Sequence, residues 1–386
     1  MQFIIQKIQR TLFYFSLCAL SLILFGSSAF ATPGINMPYG VSPLSHEIYN
    51  LHMAGFYVCC GIGVVVFGVL IYSLIKFRKS TGAKAAHFHE HMWVEVIWTT
   101  IPFLILVALA VPATIVLQHI HNTEKSALTI KVTGYQWKWK YDYLDQGISF
   151  FSVLATPQDQ INNNAPKDEW YLLEVDHPLV VPINTKVKLL VTSDDVIHAW
   201  WVPEFGIKQD AIPGYVNENW IYITQPGTYR GQCGELCGAN HAFMPIVVQA
   251  VSQKEFNNWV QANHAGHALS QAQSAQPMTE QELLALGKTQ YEKTCAMCHQ
   301  ATGLGLPPTF PALKNSAIVT GPLDKNLTVV LKGVPGTAMQ AFDEQLDNTA
   351  LAAVITYIRQ SWGNKEINLT KKKPVMVQPA EIEKAK

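Results

Sequence analysis

Residues Cys233 to Met244 read Cys-Gly-Glu-Leu-Cys-Gly-Ala-Asn-His-Ala-Phe-Met. Two thiols, an imidazole and a thioether thus fall within one short segment. A second imidazole, His198, sits in Val196-Ile197-His198-Ala199-Trp200-Trp201. Soft thiolate and thioether donors combined with imidazole select copper among the common metals. The methionine argues against zinc, whose sites are built from Cys, His and carboxylate. A single blue-copper ion needs one Cys, two His and a weak Met, which leaves one cysteine spare. Two readings account for the spare thiol. Cys233 and Cys237 can oxidise to a disulfide, with His and Met as ordinary loop residues. Alternatively, both thiolates bridge two copper ions, each of which takes one His. Met244 and a backbone carbonyl then fill the weak positions. Shared thiolates delocalise charge and lower the reorganisation that each one-electron step requires.

The second constellation is Cys295-Ala296-Met297-Cys298-His299. C-x-x-C-H is the signature of haem attached through two thioethers, with the His as proximal iron ligand. A Gly/Pro-rich loop follows, Gly303 to Pro311. Pro307 or Pro308 is expected to offer its carbonyl to the His299 ring and fix its tautomer. For the opposite face of the haem, a thioether is the usual partner of His in an electron carrier. Met339 is the expected ligand. It lies in an irregular loop, Gly336 to Phe342, just before a predicted last helix. Met297 is held on the His299 side by the thioether anchors, and Met278 precedes the domain's first helix.

These centres need elements to hold them on the oxidising side of a membrane. Lys7 and Arg10, an apolar stretch from Phe13 to Phe25, and Ala29-Phe30-Ala31 read as a secretory signal over residues 1–31. Ala54 to Leu74 and Val94 to Val116 are apolar runs of bilayer length. They predict helices at about 52–77 and 93–119 within a hairpin over 32–125. Pro102 and Pro112 lie inside the second, which a membrane helix tolerates when neighbours satisfy the freed carbonyls. Lys76, Arg78, Lys79 and Lys84 lie between the runs, so the connecting loop is cytoplasmic and both outer ends are periplasmic. Cys59 and Cys60 fall in the first run and read as inert packing.

Beyond residue 125 the pattern changes to short alternating stretches: Leu128–Val132, Tyr135–Tyr143, Trp170–Val175, Val187–Thr192, Trp220–Ile223 and Ile246–Val251. Turn-rich joints between such stretches predict an all-β sandwich or barrel over 126–260. Residues 261–279 read as a flexible linker. Helices at Glu280–Met297 and Asp347–Trp362 flank the loop-rich haem segment, giving an all-α domain over 280–363, and residues 364–386 read as a polar, disordered tail. Net charge is zero and only 15% of the 386 residues are charged, so nothing points to a nucleic-acid partner.

The segment from Cys233 to Met244, with His198, Trp200-Trp201-Val202-Pro203 and Ala211-Ile212-Pro213-Gly214, resembles the binuclear copper signature of subunit 2 of haem-copper cytochrome c oxidases. The resemblance runs from about Ser45 to Ser252. With the C-x-x-C-H segment added, the chain is similar to bacterial variants that carry a fused cytochrome c domain. The fold this implies is multi-domain: a two-helix transmembrane hairpin, an all-β cupredoxin-like copper domain and an all-α class I cytochrome c domain. The resemblance implies copper ligands at His198, Cys233, Cys237, His241 and Met244, with Glu235 ligating through its carbonyl. It implies that the Glu235 carboxylate reaches a magnesium ion shared with subunit 1. It singles out Trp137, in Gly134-Tyr135-Gln136-Trp137-Lys138-Trp139-Lys140-Tyr141, as the surface aromatic where electrons enter. The same residues, read alone, are a strand with one packed face.

Glu95, in Glu95-Val96-Ile97-Trp98-Thr99, reads by position as an interfacial carboxylate. The resemblance instead puts it at the cytoplasmic mouth of a proton path in subunit 1. His87, His89 and His91 precede it; their alternation suggests a metal clip, but they read as a solvated loop. Asp194 and Asp195 are either a hydrogen-bonding pair beside His198 or a solvated turn. The implied function is electron transfer from external cytochrome c or another periplasmic donor, through one haem c and two coppers, to subunit 1. There oxygen is reduced to water with proton pumping, and subunit 3 completes the complex. The implied setting is the bacterial inner membrane, crossed more than once. A copper-binding assembly or storage protein is the alternative, and it has no use for C-x-x-C-H. A nitrous-oxide-type reductase would need a large catalytic domain that this sequence lacks.

Overall fold

The computed structural model describes residues 36–84, 89–273 and 277–386. The expected signal segment and His87 lie outside the described residues. Helix α1 spans Pro43–Lys76 and helix α2 spans Met92–His121. Both are long and apolar enough to cross a membrane. Ser42 and Ser45 form a reciprocal capping box at the start of α1, with Pro43 in its first turn. At about 1.5 Å per residue, the 34 residues of α1 run well beyond a hydrocarbon core of roughly 30 Å. The extra turns lie at the amino end, where the sequence is too polar to read as part of a span. They dock on the β domain instead. Leu44 and Ser45 are buried, and the Val41 N–H donates to the Glu204 carbonyl at 3.1 Å. Glu47 and His119 join the two helices at 2.7 Å.

Ten strands follow: β1 Leu128–Tyr135, β2 Lys138–Tyr143, β3 Ile148–Ser152, β4 Leu179–Pro182, β5 Lys186–Ser193, β6 His198–Val202, β7 Ile207–Ala211, β8 Asn217–Tyr222, β9 Gly227–Cys233 and β10 Pro245–Val251. They form two five-stranded sheets, ordered β3-β2-β1-β5-β8 and β4-β10-β9-β6-β7. The β1–β5 and β10–β4 pairs are parallel. Both sheets feed one buried cluster that includes Ile130, Trp139, Leu189, Trp200 and Ile246. This is the expected sandwich. The expected strand at Trp170–Val175 is instead a set of turns. The Leu173 N–H returns to the Trp170 carbonyl at 2.8 Å, and Leu172 takes a left-handed backbone. Only Val175 bridges, to Leu154.

Helix α3, Gln253–Gln273, occupies much of the expected linker. Its first turns pack Phe256 and Trp259 against Tyr143 and one another, and the Ala/Gln-rich continuation favours helix. The haem-motif domain comprises α4 Glu280–Thr294, α5 Leu323–Lys332 and α6 Asn348–Gln360, with a single turn at Ala296–His299. The expected disordered tail is also corrected. It forms α7 Asn364–Thr370 and α8 Pro379–Ala385. Val377 and Ile382 are fully buried in the cluster that holds Leu351, Ile355 and Ile358. Arg359 is also fully buried, so it needs partners. It finds the Pro374 carbonyl at 2.7 Å and Asn368 Oδ1 at 3.1 Å. Two apolar residues and one buried cation thus order a stretch whose composition is polar.

Candidate copper and haem centres

Strand β9 ends at Cys233, and pairing fixes its height in the sheet. Cys233 stands opposite Trp200 of β6, two residues beyond His198. The chain then leaves the sheet. The Gly234 N–H donates to the Ala199 carbonyl at 2.9 Å, and the Cys233 N–H reaches the Met244 carbonyl at 3.3 Å. The loop is therefore pinned at both ends before β10 begins. Within it, the two sulfurs stand 3.7 Å apart. A disulfide holds its sulfurs about 2.05 Å apart, so the disulfide reading does not describe this loop, and both cysteines are free. His198 Nδ1 lies 3.9 Å from Cys233 Sγ, and His241 Nδ1 lies 3.4 Å from Cys237 Sγ. Met244 Sδ is 3.4 Å from Cys237 Sγ, and the Glu235 carbonyl oxygen is 3.3 Å from Cys233 Sγ. All five side chains and the carbonyl converge. Each sulfur has its own imidazole.

The surroundings orient these donors. His198 is fully buried, and its Nε2 meets Asp195 Oδ1 at 2.8 Å. A carboxylate on one ring nitrogen fixes the tautomer and turns the other nitrogen toward the metal. Burial opposes the charged imidazole, but the bonds to Asp195 and Cys233 and the charges of both groups together outweigh it and raise the pKa of His198. Burial likewise works against Asp195, while the bond to His198 and the Val196 and Gln136 N–H groups hold its carboxyl below the ordinary value. Of the two aspartates, Asp195 is therefore the hydrogen-bonding one, while Asp194 is exposed. The bond from Cys237 pulls the Cys233 thiol well down, and Cys237 is pushed up in return. Gly134 packs against His198, where an added Cβ would lie 2.8 Å from the ring's Cδ2. The sequence alone gives no sign of that role.

Glu235 turns its carboxylate outward to Lys208 at 3.6 Å, with both side chains about half exposed at 45%. Trp137 is not a surface residue, being only 6% exposed. Its indole N–H donates to the Cys237 carbonyl at 3.1 Å, and its ring meets Phe310 of the haem-motif domain edge-on at 6.1 Å. The folding of that domain over Trp137 is what removes it from the surface. Gln136 also donates to the Cys237 carbonyl, at 2.9 Å. Glu95 lies in the first turn of α2 and accepts from the His91 N–H at 3.2 Å. It thereby satisfies one of the free N–H groups at that end. His89 and His91 are exposed.

In the haem-motif domain, Cys295 follows α4 directly, and Cys298 and His299 complete the turn. Burial raises both thiols, Cys295 to about 12 and Cys298 to about 11. His299 Nδ1 meets a backbone carbonyl at 2.9 Å, but the carbonyl is that of Pro311 and not of Pro307 or Pro308. Leu306 and Phe310 bond reciprocally, so Pro307 and Pro308 sit at the exposed tip of a small loop and Pro311 returns beneath the ring. The Pro311 bond leaves the ring's Nε2 as its second donor atom. Met339 is half buried against the domain's core, which includes Phe342 and Leu327. Two free thiols, an oriented imidazole and a thioether are a donor set that suits covalent haem. Lys138, by sequence an ordinary strand residue, is only 7% exposed. It stands 4.8 Å over the Phe342 ring.

Paired sulfur donors on a sheet sandwich and a haem-attachment turn serve the same purpose, the passage of single electrons. The class is therefore that of a membrane-anchored electron-transfer protein. Three family profiles match the chain: cytochrome c oxidase subunit II, transmembrane domain, over residues 31–116; cytochrome c oxidase subunit II, periplasmic domain, over 128–251; and cytochrome c oxidase, cbb3-type, subunit III, over 282–358. A probable cytochrome c oxidase subunit 2 of Rickettsia bellii (strain RML369-C) is 41% identical over 246 residues, covering 62% of this chain and 90% of the relative. That of Rickettsia prowazekii (strain Madrid E) is 40% identical over 259 residues, covering 66% and 79%. Among solved structures, the periplasmic domain of subunit II of cytochrome oxidase of Bradyrhizobium japonicum is 45% identical, covering 37% of this chain and 98% of that one, with a TM-score of 0.34. The chain belongs to the cytochrome c oxidase subunit 2 family and carries a fused cytochrome c domain. Copper in the sandwich and haem c in the helical domain follow from those two domain types.

Proposed function

We propose that this chain is the electron-receiving subunit of a respiratory cytochrome c oxidase in a bacterial inner membrane. On this reading both α1 and α2 cross the bilayer, and the copper and haem domains lie on the periplasmic side. His198, Cys233, Cys237, His241 and Met244, with the Glu235 carbonyl, hold a binuclear copper centre (CuA). Cys295 and Cys298 bind one haem c covalently, and His299 and Met339 are its axial ligands. When bound, these groups supply one-electron steps. The chain takes electrons from external cytochrome c or another periplasmic donor at its haem domain. It passes them to its copper domain and on to subunit 1, where oxygen is reduced to water and protons are pumped. Subunit 3 is a further partner. The Glu235 carboxylate takes part in a magnesium site shared with subunit 1, and Glu95 stands at the mouth of a proton path.

The observation that carries this reading is the twofold pairing of His198 with Cys233 and His241 with Cys237, the sulfurs 3.7 Å apart. The protein's part is to hold the donors rigid. Asp195 orients His198, burial keeps water away from the sulfurs, and the strand ends fix both sides of the loop. Electron paramagnetic resonance of the oxidised full chain, with metal analysis, tests it. Hyperfine coupling to two equivalent coppers and two coppers per chain are expected. A single-copper spectrum, or one copper per chain, overturns it.

A further inference from the structure

The haem-motif domain lays its loop 339–345 along the start of β2, next to the copper site. Gln340 Nε2 donates to the Gln136 carbonyl at 2.6 Å and lies 3.4 Å from Asp195 Oδ2. The Gln136 N–H donates to the same Asp195 Oδ2 at 2.6 Å, and Asp195 Oδ1 holds His198. Gln340 directly follows Met339. One side chain therefore connects the loop of the proposed iron ligand with the carboxylate that orients a proposed copper ligand. Gln345 flanks it, accepting from Lys138 Nζ and donating to Gln340 Oε1 at 3.4 Å. Cys298 and Ala338 pack on the sandwich's core, so the attachment turn and the Met339 loop both face the copper domain.

Interfaces between domains of one chain are usually small and polar, and relative motion is their default. The Lys140–Glu344 pair, at 3.4 Å with Glu344 78% exposed, adds little against that motion. Gln340 is different. It is half buried and directional, and its shortest bond, 2.6 Å, is to a backbone carbonyl.

We infer that Gln340 is a positioning residue that latches the haem domain onto the copper site and closes Trp137 to external electron carriers. The inference rests on the copper and haem assignments proposed above. The step it serves moves one electron, oxidising ferrous haem and reducing the copper centre, with no proton transferred and no bond made. Its rate falls steeply with separation, so a latch that fixes the distance fixes the rate. With the latch closed, all electrons enter through haem c.

The test compares Gln340→Leu and Gln340→Glu with the parent, using the full chain loaded with copper and haem. Hydrogen–deuterium exchange of the segment 134–141 reads the docking directly. Optical spectra read the two centres, and photoreduction of the haem followed by bleaching of the copper band reads the transfer. Both variants are expected to keep the parental spectra, to lose protection across 134–141, and to slow transfer at least about tenfold, as a misplacement near 1 Å can do. Gln340→Glu sets a carboxylate against Asp195 and is expected to lose more than Gln340→Leu. A residue that merely fills space would rank the near-isosteric Glu as the milder change. Parental protection and rate in both variants overturn the inference. So does loss of either spectrum in Gln340→Leu, which makes Gln340 a folding residue. A parent that lacks the two-copper signal or the haem band fails the underlying assignment instead.

Discussion

Trp137 donates its indole N–H to the Cys237 carbonyl at 3.1 Å, and the same ring meets Phe310 edge-on. One side chain thus touches the copper loop and the haem domain together. The carbonyl it holds belongs to a residue whose sulfur faces His241 and Met244. The Gln136 side-chain amide reaches the same carbonyl at 2.9 Å, so the haem domain and the copper loop meet through both residues.

Gly134→Ala is expected to disturb the copper centre and leave the haem alone. The new Cβ would approach the His198 ring to 2.8 Å, and the buried ring has nowhere to retreat. Displacing an oriented ligand typically costs about 10–100-fold in metal affinity. Copper retention under a competing chelator measures this. Parental retention, with an unshifted copper band, would show that the ring can move freely.

Met339→His tests the sixth haem ligand. Replacing thioether by imidazole removes the stabilisation of ferrous iron that a Met ligand gives. The weak absorption band of Met-ligated ferric haem should vanish and the reduction potential should fall strongly. A band that survives the substitution places the ligand elsewhere.

Glu95→Gln is expected to slow proton uptake in the assembled oxidase while leaving copper reduction at its parental rate. On the proposed topology Glu95 lies across the membrane from the copper domain. Stopped-flow copper bleaching and proton uptake, followed together, separate the two. Unchanged uptake returns Glu95 to the helix-capping role that its bond to the His91 N–H already gives it.

Lys138 supplies a pH dependence. Burial pushes it down to about 8 from an unfolded value near 10.5. Between those values the unfolded chain binds a proton that the folded chain does not, so stability rises with pH. Below pH 8 both forms are charged and the burial cost is carried in full. Its size is roughly 3 kcal/mol, at about 1.4 kcal/mol per pKa unit. Relative to Lys138→Met, the parent should therefore gain stability as pH rises from 8 toward 10. Denaturant midpoints of both proteins across that range give the answer. Parallel curves would mean that Lys138 keeps its ordinary pKa.

The residues of both centres were legible in the sequence because their chemistry is local. Cys233, Cys237, His241 and Met244 share one loop, and Cys295, Cys298 and His299 share one turn. A motif confined to a few residues needs no tertiary structure to be recognised. The apolar runs of α1 and α2 are legible for a similar reason, since a bilayer acts on composition and length. The all-β class of the middle domain showed in its alternation.

What only the tertiary structure decided depends on partners far apart in sequence. The register of β6 against β9 sets His198 beside Cys233. The reciprocal Leu306–Phe310 bridge hands the His299 hydrogen bond to Pro311. Val377, Ile382 and Arg359 turn a polar tail into packed helices, because burial acts on individual side chains and not on average composition. The resemblance makes Trp137 a surface aromatic, whereas in the fold it is buried and meets Phe310 of the haem domain. No local pattern encodes that contact, for its two sides, Gln136–Lys138 and Gln340–Gln345, are brought together only by the packing of two separately folded domains.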